Sequence, residues 1–179
     1  MPSVQAFSNA IYKTEAWKVA DRSAAKDLVS QLLGLQQSIK HPMVSAKHLG
    51  IDVQVISIDL NYLKSEKVKF SGVFINPKIL REKAPLVSQL EDDPSIPGLS
   101  VSIERPKQIE VSFLNEELNE QKVSFSDLAA RWIMHGVDQL NGVSIVDKLN
   151  KHRQRSIKAH LKRISERKIE TNYKLEYDS

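Results

Sequence analysis

Hydrophobic positions change their period along this chain, and the changes divide it into elements. Residues 1–22 carry no sustained pattern and are expected to be irregular or extended. From Ala24 to Lys40, Leu28, Leu32, Leu35 and Ile39 recur at steps of three and four, which predicts a helix with one apolar stripe, with Ser23 as its N-cap. Gly34 inside it costs about 1 kcal/mol relative to Ala, and Pro42 ends it by disfavouring a helical residue before it. The β-branched run Ile51, Val53, Val55, Ile56 and Ile58 reads as a buried strand. A second strand is expected from Val68 to Ile75, closed by Asn76 and Pro77, and an acidic, Pro-rich turn from Glu91 to Gly98. Leu99, Val101 and Ile103, then Ile109, Val111 and Phe113, alternate with polar residues as in half-buried antiparallel strands. Leu118 to Gln121 reads as a turn and Val123 to Phe125 as a short strand. Ser126 is placed to cap a helix from Asp127 to Leu140, and a last helix runs from Asn150 to Lys168. The sum is an α+β chain with strands in the middle and helices at the ends.

Length and composition narrow this further. The chain has 179 residues, 41% hydrophobic and 27% charged, which suits one soluble globular domain over residues 1–168 with a C-terminal tail at 169–179, loose from Tyr173 to Ser179. No apolar run approaches the roughly 18 residues of a membrane span, and the N-terminus lacks the pattern of a secretory signal. A cytoplasmic or organelle-matrix location with no membrane partner is expected. The absence of cysteine excludes disulfides, thiolate nucleophiles and thiolate metal sites. The net charge of +4 is concentrated between Lys148 and Lys168, where Arg155, Lys158, Lys162 and Arg163 surround a narrow stripe of Ile157, Leu161 and Ile164. This is either a solvated amphipathic helix docked on the domain or a contact for phosphate backbone. With no interleaved aromatic before Tyr173, base stacking is not expected.

Candidate chemistry sits on the helix before it. His135 and Gln139 are four residues apart and share a face. Two histidines at that spacing, with a Glu after the first, form a metal-and-base motif; here Gly136 and Gln139 stand in place of the Glu and the second His. The run from Met134 through His135, Gly136, Val137, Asp138, Gln139, Leu140, Asn141, Gly142 and Val143 to Ile145, Val146, Asp147, Lys148 and Leu149 resembles, without a gap, the peptide deformylase segment Gln-His-Glu-Ile-Asp-His-Leu-Asn-Gly-Val-Leu-Phe-Ile-Asp-Arg-Leu. Glu91 to Gly98 is similar to the family's Glu-Gly-Cys-Leu-Ser phrase, with Asp93 at the cysteine. Ile103 to Pro106 resembles its Val-x-Arg-Pro, and Phe74 to Ile79 looks like the end of one of its strands. His41 to His48 resembles its glycine-rich loop, with His48 on the glutamine. The resemblance covers about residues 10–165.

The resemblance implies the deformylase fold, with antiparallel sheets around a central helix. It also implies removal of formyl from the N-terminal formyl-methionine of new proteins. Such a member holds a divalent metal (Fe, Zn or Ni) through Cys, His and His, moves a proton on the Glu, and stabilises an oxyanion with the Gln. Carried over residue by residue, the metal positions are Asp93, His135 and Gln139. Gly136 stands at the general base and His48 at the oxyanion glutamine, while His41, Met43, His48 and Ser95 line the substrate cleft. Gln139 is a weak ligand and Gly136 moves no proton, so no catalytic residue is assigned. The cofactor is either none or a weakly held divalent metal. His48, Asp93 and His135 are expected to come together, as a metal site or as a polar cluster filling the emptied space. Gly136 has two readings, drift after loss of function or space cleared for a bound group or a neighbouring side chain. The expected function is that of a deformylase-like protein without efficient activity, contacting the ribosome through the basic helix or a nascent N-terminal peptide through the cleft. Alternatives are a divergent metal-dependent deformylating hydrolase and a structural subunit of a ribonucleoprotein.

Overall fold

The computed structural model describes residues 2–63 and 69–178, with the side chains of 22–24 also left undescribed; the expected Ser23 cap and the Val68 strand start lie outside these residues. In chain order the elements are β1 (Ser3–Gln5), α1 (Arg22–Ile39), β2 (Met43–Ser45), β3 (Val55–Asp59), β4 (Ser71–Asp92), β5 (Ser100–Leu114), β6 (Glu120–Ser126), α2 (Asp127–Leu140), α3 (Lys151–Ser165) and β7 (Lys174–Glu176). Strands β2 to β6 form one antiparallel sheet in sequence order, and β1 pairs with β7 in a small parallel one.

The central strands carry near-continuous apolar sequence because both faces of the sheet are covered. Ile56 and Ile58 of β3, Met43 of β2 and Phe74 of β4 face the core beneath α2, with Ile133, Met134 and Val137 of that helix. The alternate residues Val44, Val55, Val73 and Ile75 face the opposite side, where Leu28, Val29 and Leu32 of α1 pack. Strand alternation thus puts one helix on each face. A third cluster joins Val101 and Ile103 at one end of β5 to Ile145, Val146 and Leu149, and to Ile157, Leu161 and Ile164 of α3. The basic helix is therefore docked through the apolar stripe that its sequence displays.

Several expected boundaries shift. Strand β4 does not stop at Pro77 but continues to Asp92, so Glu91 and Asp92 belong to a strand rather than a turn. The prolines are absorbed by register shifts between Ile75 and Lys78 and between Lys83 and Leu86, where an irregular pairing tolerates the missing N–H. Strand β5 runs unbroken through Arg105 and Pro106. Ser126 occupies the α2 N-cap but makes no side-chain cap bond. The segment after Tyr173 is not loose. Lys174–Glu176 pairs with Ser3–Gln5, the buried Asn9 donates to the Glu176 carbonyl at 3.1 Å and accepts from the Asp178 N–H at 3.0 Å, and the Tyr173 hydroxyl donates to the Pro94 carbonyl at 2.8 Å.

One contact fixes how closely α2 lies on the sheet. A Cβ placed on Gly136 would stand 2.8 Å from Ile56 Cδ1 and 3.0 Å from Ile56 Cγ2. The Cγ2 branch is rigid, so it cannot swing aside as a chain end would. Of the two readings of Gly136, the structure therefore favours cleared space, and the occupant is a side chain of β3. Gly136→Ala is expected to lower stability by about 1–2 kcal/mol in the native background, overpacking outweighing helix propensity. In an Ile56→Ala background the same change is expected to raise stability by about 1 kcal/mol. Urea unfolding of the four proteins of this cycle checks the inversion, and equal effects in both backgrounds would refute the contact.

Candidate functional site

Three elements converge under the N-terminal segment. Asp93 begins the connection between β4 and β5. His135 and Gln139 project from one face of α2. His48 lies on the short 3-10 turn Ala46–Leu49 after β2. All four side chains are buried. The sequence expectation that His48, Asp93 and His135 meet is thus realised in the fold, and the geometry shows how.

The Asp93 carboxylate is the hub. Its Oδ1 accepts from the Ser95 N–H (2.8 Å), the Ser95 hydroxyl (2.5 Å) and His48 Nε2 (3.1 Å). Its Oδ2 accepts from His135 Nε2 (3.0 Å) and Gln139 Nε2 (2.7 Å). The network fixes the orientation of each partner. His48 Nδ1 accepts the Ser45 N–H at 3.0 Å, so its proton is on Nε2, directed at Asp93. Gln139 Oε1 accepts from the Ser45 hydroxyl, so its NH₂ faces the carboxylate. Gln139 Nε2 and His48 Nε2 are 3.4 Å apart, but both carry hydrogens and this is proximity, not a bond.

His135 lies between two carboxylates. Its Nδ1 is 3.3 Å from Glu91 Oε2, too poorly aligned for a hydrogen bond, and the contact is an ion pair. Burial opposes charge on this ring, but Asp93 and Glu91 outweigh it and push its pKa up to about 9. Burial likewise opposes the Asp93 charge, and His48 and His135 overcome it, holding the carboxyl well below its ordinary range. Glu91, opposed by burial and favoured by His135 and Arg105, is lowered to about 2. Arg105 binds Glu91 in bidentate fashion at 2.6 and 2.9 Å and reaches Asp138 at 2.7 Å. Arg131 of α2 adds a bond to Glu91 at 2.6 Å and one to the Ile103 carbonyl at 2.9 Å.

The donor set does not fit a metal. The oxygen of Gln139 is turned away to Ser45, His135 presents an N–H rather than a lone pair, and both Asp93 oxygens are fully engaged. Among the described residues no group of three or more His, Asp or Glu is arranged to hold an ion.

The expected cleft residues divide. Met43, His48 and Ser95 are buried: Met43 faces the core on an inward position of β2, and Ser95 is folded onto Asp93. His41 alone lines an open groove of about 640 Å³, with Lys40, Asp92, Ser100, Asn172 and Tyr173. Its Nε2 lies 3.4 Å from Asp92 Oδ1. Trp132 fills the space behind it, edge-on to His41 and stacked on His135. Arg155, Lys158, Lys162 and Arg163 are exposed on α3 and, among the described residues, join none of these buried contacts. Sequence reasoning did not single out Ser45, Trp132 or Ile56. The position of Trp132, three residues before His135 on the same helix face, was a usable signal; nothing local marks the other two.

A polypeptide deformylase family model matches residues 2–155. The chain belongs to the peptide deformylase family. It is 28% identical to the peptide deformylase of Chlorobium phaeobacteroides over 171 residues, covering 95% of this chain and 92% of that one. It is 34% identical to that of Prochlorococcus marinus (strain NATL1A) over 126 residues, 70% of this chain and 61% of the relative. A Synechococcus elongatus peptide deformylase solved with actinonin superposes with a TM-score of 0.76 at 30% identity, covering 92% of this chain and 84% of that chain. A plant peptide deformylase reaches 0.84 at 22% identity, over 93% and 90%, and shares the fold. The deformylase fold expected from the sequence motifs is the observed one.

The charged centre should leave a pH signature. His135 holds its proton more tightly folded than unfolded, so its contribution is complete below its ordinary 6.5 and is lost as pH rises through about 9. Glu91 and Asp93 hold protons less tightly when folded, so theirs is complete above about 4.5 and is lost as pH falls toward 2. Urea midpoints should therefore be highest between about pH 5 and 6.5 and decline toward pH 9. His135→Gln should be less stable and lack the alkaline decline.

Proposed function

We propose that this member of the deformylase family binds without catalysing deformylation. The observation that supports the reading is the Ile56 side chain packed against Gly136, in the space where the family's general-base carboxylate would stand. Loss of a general base alone commonly costs about two to four orders of magnitude in rate. His48 offers no free donor to an oxyanion, since its only N–H is spent on Asp93. The groove beside His41 remains open to a segment of extended chain, such as the N-terminal peptide of a nascent protein. Purified protein supplied with iron, zinc or nickel is expected to give no release of formate from a formyl-Met peptide. Turnover that His135→Ala abolishes would instead support the divergent hydrolase.

A second reading concerns partners and rests on α3. Its apolar stripe is docked while Arg155, Lys158, Lys162 and Arg163 all remain exposed, a cationic face suited to phosphate backbone such as that of the ribosome or another ribonucleoprotein. Reversing the charge at Arg155 and Lys158 is expected to reduce co-sedimentation with ribosomes at low salt and to leave stability within about 0.5 kcal/mol. Unchanged co-sedimentation would remove this reading.

A further inference from the structure

We infer that the Asp93 carboxylate takes the place of the ion as the cross-link of the domain, so that the fold is held at this point by direct hydrogen bonds. An ion bound by the loop after β4 and by two residues of α2 would join those elements through itself. Here they meet without an intermediary. Asp93 Oδ2 receives His135 Nε2 at 3.0 Å and Gln139 Nε2 at 2.7 Å, and Oδ1 receives His48 Nε2 from a third element at 3.1 Å.

The distances oppose a shared ion. Two ligand atoms about 2.1 Å from a tetrahedral ion stand about 3.4 Å from each other. The α2 donors approach Asp93 more closely than that, and each presents a hydrogen where a ligand would present a lone pair. Gln139 would also have to reverse its amide and surrender the Ser45 hydroxyl. Asp93 and Gln139 therefore complement each other as hydrogen-bonding groups. Ile56 closes the adjoining space over Gly136, and the pair is buried, where a charge-assisted bond is strong.

The inference rests on the non-catalytic reading of the same centre, but the two fail separately. The test uses the full chain, incubated with zinc, iron(II) or nickel and then dialysed, with metal content and Tm measured with and without EDTA. The native chain is expected to retain no stoichiometric ion and to melt at the same temperature either way. The double variant Asp93→Cys/Gln139→His is expected to retain about one zinc per chain and to lose Tm on chelation. One ion in the native chain, with a Tm that falls in EDTA, would overturn the inference even if the protein were inactive. So would a folded double variant that holds no zinc. If the double variant does not fold, Asp93→Asn decides: a clear drop in Tm, insensitive to EDTA, is expected, and an unchanged Tm is the contrary result. Deformylase turnover by a native chain free of metal would sink the non-catalytic reading and leave the cross-link standing.

Discussion

A carboxylate withdrawn from water is costly unless donors meet it from several directions, and at Asp93 four residues supply them from three parts of the chain. His135 and Gln139 come from α2, His48 from the turn after β2, and Ser95 from its own loop. Removing any one element leaves a buried charge short of partners, so the energy of the centre is realised only when the fold is complete. The N-terminal segment closes over it: the Phe7 N–H donates to the Ser95 carbonyl, and Tyr12 lies beside the His48 ring. The β1–β7 pairing then ties the C-terminal segment to the same lid.

A second layer makes the first affordable electrostatically. Glu91, fully buried, would repel Asp93 two residues along the chain if it stood alone. Arg105 and Arg131 neutralise it from β5 and α2, and His135 is shared between the two carboxylates. Asp138 completes the balance, bridging Arg105 to Lys148 at the edge. Charges of both signs alternate from the core to the surface, so that no single ion bears an uncompensated desolvation penalty. Glu91 of this layer pairs with His135 Nδ1, which helps keep Nε2 aimed at Asp93.

Much of this was legible in the sequence. The stripes of α1 and α3 have the right period, and the β-branched run at β3 has the composition of a strand covered on both faces. The long β4–β5 hairpin was not legible, because Pro77 and Pro85 look like strand ends and residues 81–90 form an exposed edge without a clean alternation. Strand β7 is three residues long and is defined by its partner, not by its own pattern. At the centre, the family motifs identified which positions meet. They did not disclose the Gln139 amide orientation, which depends on Ser45, nor the approach of Ile56 to Gly136. Both are tertiary facts with no local signature.

The contrast between scaffold and centre follows from what each feature needs in order to persist. Arg105, Glu91 and Asp138 depend on one another, and a change at one would strand the others in low dielectric. Stability is sufficient to constrain such residues, whatever the protein does. The positions of Asp93, Gly136 and Gln139 answer to a different constraint: the space between loop, helix and sheet must be filled and its polar atoms satisfied. An ion and its ligands are one solution. A carboxylate facing an imidazolium is another, because the proton on His135 supplies positive charge at the same place. The carboxamide of Gln139 then uses its NH₂ toward Asp93 and its oxygen toward Ser45, and the methyl groups of Ile56 occupy what remains. On the proposed reading, fold and site are thus kept in one geometry while the chemistry of the centre changes from ligation to hydrogen bonding.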